Sequence, residues 1–220
     1  MKNLLKRSIS AGVVISLGGY AYIKTYQDNH YIAAFLFSLG LLTVLYLQYD
    51  LFTGKVCNIV SNISQSYTVH NKQPTYNANN ILYYIIVLIG NAVGCLIMAL
   101  ITVQTNINGY DICALRVSKS PLNLFCAAII CEICISIAVW VFNNNKDKNT
   151  NIVVVLAVMV FILSGAEHCI ADIYYVLVDV LDGKPSINPI IGLEIIMIVI
   201  MGNLIGGMAM NLICKCKENK

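Results

Sequence analysis

Residues Ser164–Tyr175 read SGAEHCIADIYY. The stretch places Glu167, His168 and Asp172 inside a segment that is apolar from roughly 152 to 181. Ionisable side chains are expensive at bilayer depth and are kept where they face protein or a wet cavity. The same holds for backbone: irregular chain within the hydrocarbon survives only inside protein or beside water. Gly165 and the charged cluster therefore read as a break in a membrane-spanning helix, because apolar sequence resumes after them.

Composition sets the frame for that break. Of 220 residues, 58% are hydrophobic and 11% charged, where a soluble domain carries roughly 25% charge. A water-soluble globule is argued against. The net charge of +3 is small, and no basic run interleaved with aromatics suggests nucleic acid. Six apolar segments follow one another, at roughly 8–24, 31–54, 80–104, 121–143, 152–181 and 189–214. The first follows a basic start, MKNLLKRSIS, without a clear cleavage site, and reads as a retained span. With the N-terminus inside, Lys2, Lys6, Arg7, Lys55, Lys72, Lys146, Lys148, Lys215, Lys217 and Lys220 are cytoplasmic. Lys24, Arg116, Lys119 and Lys184 are outside. That bias predicts a multi-pass protein of the cell membrane with both termini in the cytoplasm. The longest loop between spans, about 54–80, then lies inside.

A second break lies in the second segment, FSLGLLTVLYLQYDLFTGK, where Asp50, Thr53 and Gly54 interrupt the apolar run. The third and sixth segments share a further pattern. Gly90, Asn91 and Gly94 in IGNAVGCLIMAL match Gly202, Asn203 and Gly206 in MGNLIGGMAMNL. Thr53 and His168 are offset by a similar separation, which predicts two repeats, about 6–104 and 119–214, within one domain over 1–220. Three spans per repeat force opposite orientations, the plan of transporters whose site lies where broken helices meet. The fold class expected is an all-α membrane protein of six helices, with helices two and five broken.

LFTGK, GAEHCIADIYY, the paired GN segments, FSLGL and SIAVW stand in order and spacing that resemble the formate/nitrite transporter family, from roughly Lys6 to Leu212. The resemblance implies a homopentamer of aquaporin-like protomers, each with its own pore. An omega-shaped loop breaks the second span and an S-shaped loop the fifth. Small monovalent anions or their acids would pass: formate, nitrite, hydrosulfide or lactate. By the same resemblance His168 is the central pore histidine and Thr53 the loop threonine that hydrogen-bonds toward it. Leu51 and Phe52 narrow the pore from the loop. Phe37 and Leu41 are apolar constriction positions on the second span, Phe161 on the fifth and Ile135 on the fourth. A cation before the fourth span draws anions to the entrance; Lys119 matches it chemically and Arg116 by ungapped spacing, and both are kept.

The chemistry follows from cost. Taking a bare anion into low dielectric costs, in the ideal limit, of order 20 kcal/mol, so apolar constrictions favour the neutral acid. Outer cations would concentrate the anion by their field. His168, with an unperturbed pKa near neutrality, would hydrogen-bond or protonate it there, and Thr53 would orient it. The partners expected are a weak acid or its anion, protons and the lipid bilayer. A pore for small neutral solutes is the alternative, and a buried structural role is the bland reading of His168.

Some positions depart from the family pattern. FEH and AN are usual around the histidine, where this chain has Ala166 and Asp172. Glu132, in CEICISIAVW, stands where an asparagine is usual. Glu132 and Asp172 read either as pore-facing acids or as groups at a helix interface. Asn91 and Asn203 read as bonding backbone or neighbouring helices, and Glu167 as bonding helix ends freed by the break. The nine cysteines include CEIC and CKC. With His30, His70 and His168 scattered, they complete no zinc set, so no metal or cofactor is expected. Neither paired haem histidines nor a nucleophile constellation points to an enzyme.

Overall fold

The computed structural model describes residues 2–57, 81–105, 110–145, 147, 149–182 and 187–218. His70, Lys72, Lys146, Lys148, Lys184, Lys220 and most of the 54–80 loop lie outside the described residues. The described chain is helical: α1 (Lys2–Thr25), α2 (His30–Tyr46), α3 (Thr53–Val56), α4 (Ile81–Thr102), α5 (Tyr110–Val117), α6 (Pro121–Asn144), α7 (Thr150–Leu163), α8 (Cys169–Leu181) and α9 (Pro189–Glu218). A 3-10 turn, Val103–Thr105, extends α4. Among the described residues three helices are long and apolar enough to cross a membrane: Ile81–Thr105, Pro121–Asn144 and Pro189–Ile213. Two shorter apolar helices, His30–Tyr46 and Thr150–Leu163, are those that stop at the breaks.

Both breaks have the same local cause. Helix α2 ends with Tyr49 N–H on the Val44 carbonyl (3.0 Å), and α7 ends with Ala166 N–H on the Phe161 carbonyl (3.0 Å). Each is the six-to-one bond of a helix stop that needs one residue in the left-handed region. Gly165 takes it at φ 68° and Gln48 at φ 54°. The chain then runs without regular structure before helix resumes at Thr53 and at Cys169.

The described helices pack in two sets. Helix α1 lies against α4 and α2, as α6 lies against α9 and α7. The helix after each break crosses to the other half: α8 packs on α4 and α1, and α3 on α9 and α6. Close approach is set by small residues. A Cβ on Gly94 would lie 2.2 Å from the Ile9 carbonyl oxygen of α1, and one on Gly206 2.7 Å from the Ile129 carbonyl oxygen of α6. The buried core runs through both halves and includes Phe37, Leu41, Leu51, Phe52, Ile135 and Phe161.

Candidate functional site

The freed backbone of each break is held by one asparagine. Asn91 of α4 accepts from Phe52 N–H (2.8 Å) and donates to the carbonyls of Ser8 (2.7 Å) and Asp50 (2.9 Å). Asn203 of α9 accepts from Cys169 N–H (2.9 Å) and donates to the carbonyls of Ala128 (2.8 Å) and Glu167 (3.1 Å). An amide can do this because it carries acceptor and donors together. Both clamps are fully buried. They also fix the register of the repeat: Asp50 stands where Glu167 stands, and Leu51 where His168 stands. The sequence offset pairs Thr53 with His168, whereas the asparagine bonds align His168 with Leu51, two residues earlier than Thr53.

His168 sits at the first residue of the break's far side, as the N-cap of α8 (φ −111°, ψ 111°). Its Nδ1 accepts from Ala171 N–H at 3.2 Å. In the neutral ring the proton is then on Nε2, which is 2.9 Å from Thr53 Oγ1 and donates to it. The Thr53 hydroxyl keeps its own proton to donate. Thus the two breaks, 115 residues apart in the chain, meet at one buried polar contact. His168 and Thr53 are 2% and 0% exposed.

Aromatic rings flank this contact. The Phe161 ring is stacked beside His168 (centroids 6.0 Å, 20°), and Phe37 meets Phe161 edge-on at 5.9 Å. Tyr22 meets Phe37 edge-on at 6.3 Å. Leu41, Leu51, Phe52 and Ile135 are all buried.

On one side of His168 a cavity of about 340 Å³ opens. Phe161 and His168 line it, with Tyr22, Tyr26, His30 and Tyr175 around them. Arg116 and Lys119 both line it as well, and both are engaged. Arg116 Nε is 2.7 Å from Asp172 Oδ1 and 3.0 Å from Glu167 Oε2, and its guanidinium lies over the Tyr175 ring at 4.8 Å. Lys119 Nζ donates to the Gly165 carbonyl at 2.8 Å and to Glu167 Oε1. So Glu167 turns its carboxylate to two cations rather than to helix ends, and Asp172 has Arg116 as its partner. Two positive and two negative groups leave the wall near neutral. The first break carries a counterpart cluster: Asp50 receives Arg7 (2.9 Å), Lys55 (3.3 Å) and the Tyr83 hydroxyl (3.2 Å).

Glu132 is fully buried on α6; Ser136 Oγ reaches its Oε1 at 3.4 Å. Its Cβ would be 2.9 Å from a Cβ on Gly206, so its stem lies at the α6–α9 interface. The sequence pattern did not single out Tyr22, Tyr26, His30 or Tyr175 as a group. The four-residue spacing of Tyr22, Tyr26 and His30 was the available signal, since it keeps side chains on one side of a helix and its exit.

Comparison with known proteins places this geometry. The chain matches the formate/nitrite transporter family over residues 1–216. It is 26% identical over 187 residues to the formate channel FocA of Haemophilus influenzae, covering 76% of this chain and 63% of that protein. FocA of Escherichia coli K12 is 26% identical over 188 residues, with 77% and 63% covered. A formate-nitrite transporter of Plasmodium malariae is 26% identical over 205 residues, with 78% and 62% covered. The matches thus span a little under two thirds of these relatives' own length. Among solved structures, a pentameric formate channel with formate bound superposes with a TM-score of 0.79 at 21% identity, over 99% of this chain and 97% of that one. An FNT family ion channel gives 0.78 at 16% identity, over 94% and 86%. The broken helices, the asparagine clamps and the match along nearly the whole sequence lead to one conclusion: this chain belongs to the formate/nitrite transporter family.

Proposed function

We propose that the protein is a membrane channel or transporter for small monovalent anions or their conjugate acids, formate, nitrite or hydrosulfide, with His168 and Thr53 at the centre of its path. The observation that carries this reading is the 2.9 Å contact between Thr53 Oγ1 and His168 Nε2, made by the two breaks and flanked by Phe37 and Phe161. Rings on the path exclude water and disfavour a bare anion. A buried hydroxyl donor, polarised by the His168 Nε2–H that it accepts, is what a desolvating anion needs in exchange for water.

The direction of the bonds shapes the mechanism. Neutral His168 gives its Nε2 proton to Thr53 Oγ1, and the Thr53 hydroxyl donates onward to the solute. A second proton, on Nδ1, would face Ala171 N–H and undo the cap of α8. His168 therefore acts as a hydrogen-bond donor through Thr53, and the proton of the neutral acid comes from water in the cavity. Arg116 and Lys119 would mark the entrance, and Leu41, Leu51, Phe52 and Ile135 would narrow the far half of the path. We further propose two inverted repeats in one domain, both termini in the cytoplasm, and five copies per assembly.

A second reading, a pore for small neutral solutes, gains from the charge balance at the cavity, where Glu167 and Asp172 offset Arg116 and Lys119. Uptake by proteoliposomes separates the two, using formate, nitrite, hydrosulfide and glycerol at two pH values. The acid reading predicts formate uptake above that of protein-free vesicles, rising at the lower pH, and no glycerol uptake. Glycerol uptake without formate uptake would replace it with the neutral-solute reading.

A further inference from the structure

Among the described residues lining the entrance cavity are two histidines, His168, which is buried, and His30, which is exposed. Their rings are committed in opposite senses. His168 Nδ1 accepts from Ala171 N–H, so a second proton breaks a bond that the ring already makes. His30 Nδ1 lies 2.5 Å from the Tyr26 carbonyl oxygen. A carbonyl only accepts, so the proton of the neutral His30 ring is on Nδ1. Its Nε2 has no hydrogen-bond partner among the described residues. A second proton adds there and disturbs nothing. The Tyr26 ring, stacked on His30 at 4.2 Å between centroids, offers its face to the charged form. The end of α1 favours a cation at this point and the start of α2 opposes it. The other charges of the wall are already matched. Arg116 and Lys119 pair with Glu167 and Asp172. Helix α7 brings Phe161, Ile162 and Leu163 to the cavity, none of which titrates. Tyr22, Tyr26 and Tyr175 are phenols, neutral in the range where an imidazole changes charge. Lys24 and Asp28, exposed near the same turn, carry opposite signs.

We infer that His30 is a proton-switched docking group for the incoming anion. Protonated, it is the unmatched cation of the cavity wall, and its Nε2–H donates to a small monovalent anion such as formate. Neutral, it turns a lone pair to the cavity and offers the anion nothing. The free nitrogen and the balanced wall carry this assignment, and the consequence for flux rests on the pore reading above. Acid solution on the cavity side then recruits anion as well as supplying the proton that neutralises it. The two effects belong to different groups: recruitment to His30, and neutralisation to water beside the Thr53–His168 contact.

The test compares formate uptake by proteoliposomes of the natural chain, His30→Gln and His30→Lys at about pH 5 and about pH 8, the limits between which histidine changes charge. The ratio of natural chain to His30→Gln should be roughly threefold larger at the acid end, the worth of an exposed ion pair, and should shrink as salt is raised. His30→Lys keeps its cation throughout, so its advantage over the natural chain should appear at the alkaline end and vanish at the acid end. A purely structural role for His30 moves uptake equally at both ends. A second measurement needs no flux. Histidine labelled with heavy nitrogen in the full chain in nanodiscs reports the protonated fraction of His30, identified by the signal that His30→Gln lacks. At about pH 6.5, where histidine is half-charged, formate in place of gluconate at equal ionic strength should raise that fraction. Ratios that do not change with pH, together with a protonated fraction that formate leaves unchanged, overturn the proposal. A raised fraction without formate uptake at either pH sinks the pore reading and leaves the docking group. Formate uptake with neither signature does the reverse.

Discussion

Thr53 and His168 are joined by one hydrogen bond, yet each is reached from a different half of the chain. Replacing Thr53 with Val keeps the shape and removes the hydroxyl that accepts from Nε2 and donates onward. Formate flux should fall about tenfold, the worth of one hydrogen bond, while Thr53→Ser keeps most of it; initial uptake rates decide. The charged cluster makes a different prediction. Arg116→Ala strands the buried Asp172 without its guanidinium and leaves Glu167, also buried, with Lys119 alone. Breaking a buried ion pair from one side is strongly destabilising, about 3–5 kcal/mol, and should show as a lower unfolding temperature in detergent. Adding Asp172→Asn removes the stranded charge and should recover part of the loss. If the double variant unfolds no later than Arg116→Ala, the pairing has little energetic weight. Much of this was legible in the residues themselves. His168 and Thr53 stood out because polar groups in apolar segments need a reason. The pairing of Asp172 with Arg116 was not legible, because 56 residues separate them and only the fold of α5 against α8 brings them together.

At the scale of elements, two helices stop and restart, and an asparagine on a neighbouring helix satisfies the chain in between. The clamp gives a symmetric prediction. Asn91→Ala and Asn203→Ala each orphan one buried N–H and one buried carbonyl of the break, and remove a second bond from a helix carbonyl, Ser8 or Ala128. At about 1–3 kcal/mol for an orphaned group, each should lower stability by several kcal/mol and by similar amounts. Thermal unfolding followed by circular dichroism checks this; a marked difference between the two would mean the halves are not held alike. Helix approach is equally demanding. Gly94→Ala would put a Cβ 2.2 Å from the Ile9 carbonyl oxygen, so α1 and α4 must separate. The positions of the breaks could be read from Gly165 and from the polar residues near Asp50. The alignment of the two breaks could not, since it depends on which backbone groups the Asn91 and Asn203 side chains meet: His168 falls opposite Leu51, a residue of another type. Gln48 is a further case, a non-glycine in the left-handed region that the sequence does not announce.

Across the whole molecule the described helices pack in two sets, α1 with α2 and α4, and α6 with α7 and α9, and the short helix after each break packs on the other set. The Thr53–His168 contact lies within the buried core, with the Phe161 ring stacked beside His168 and Phe37 edge-on to Phe161. Exposed hydrophobic side chains are spread over α2, α4, α6, α7 and α9, among them Phe35, Ile89, Ile130, Leu156 and Leu193. In a chain of this family they suit lipid or other copies of the protein. Light scattering of the detergent-solubilised protein should give about five times the protomer mass; a monomer would contradict the proposed assembly. The central claim is that solute crosses at the Thr53–His168 contact. Its most direct test is a double-mutant cycle on formate uptake by proteoliposomes, with Thr53→Val, His168→Ala and the pair together. Groups that act through one hydrogen bond are not additive, so the pair should lose little more than His168→Ala alone. Fully additive losses, or uptake unchanged in His168→Ala, would contradict the account.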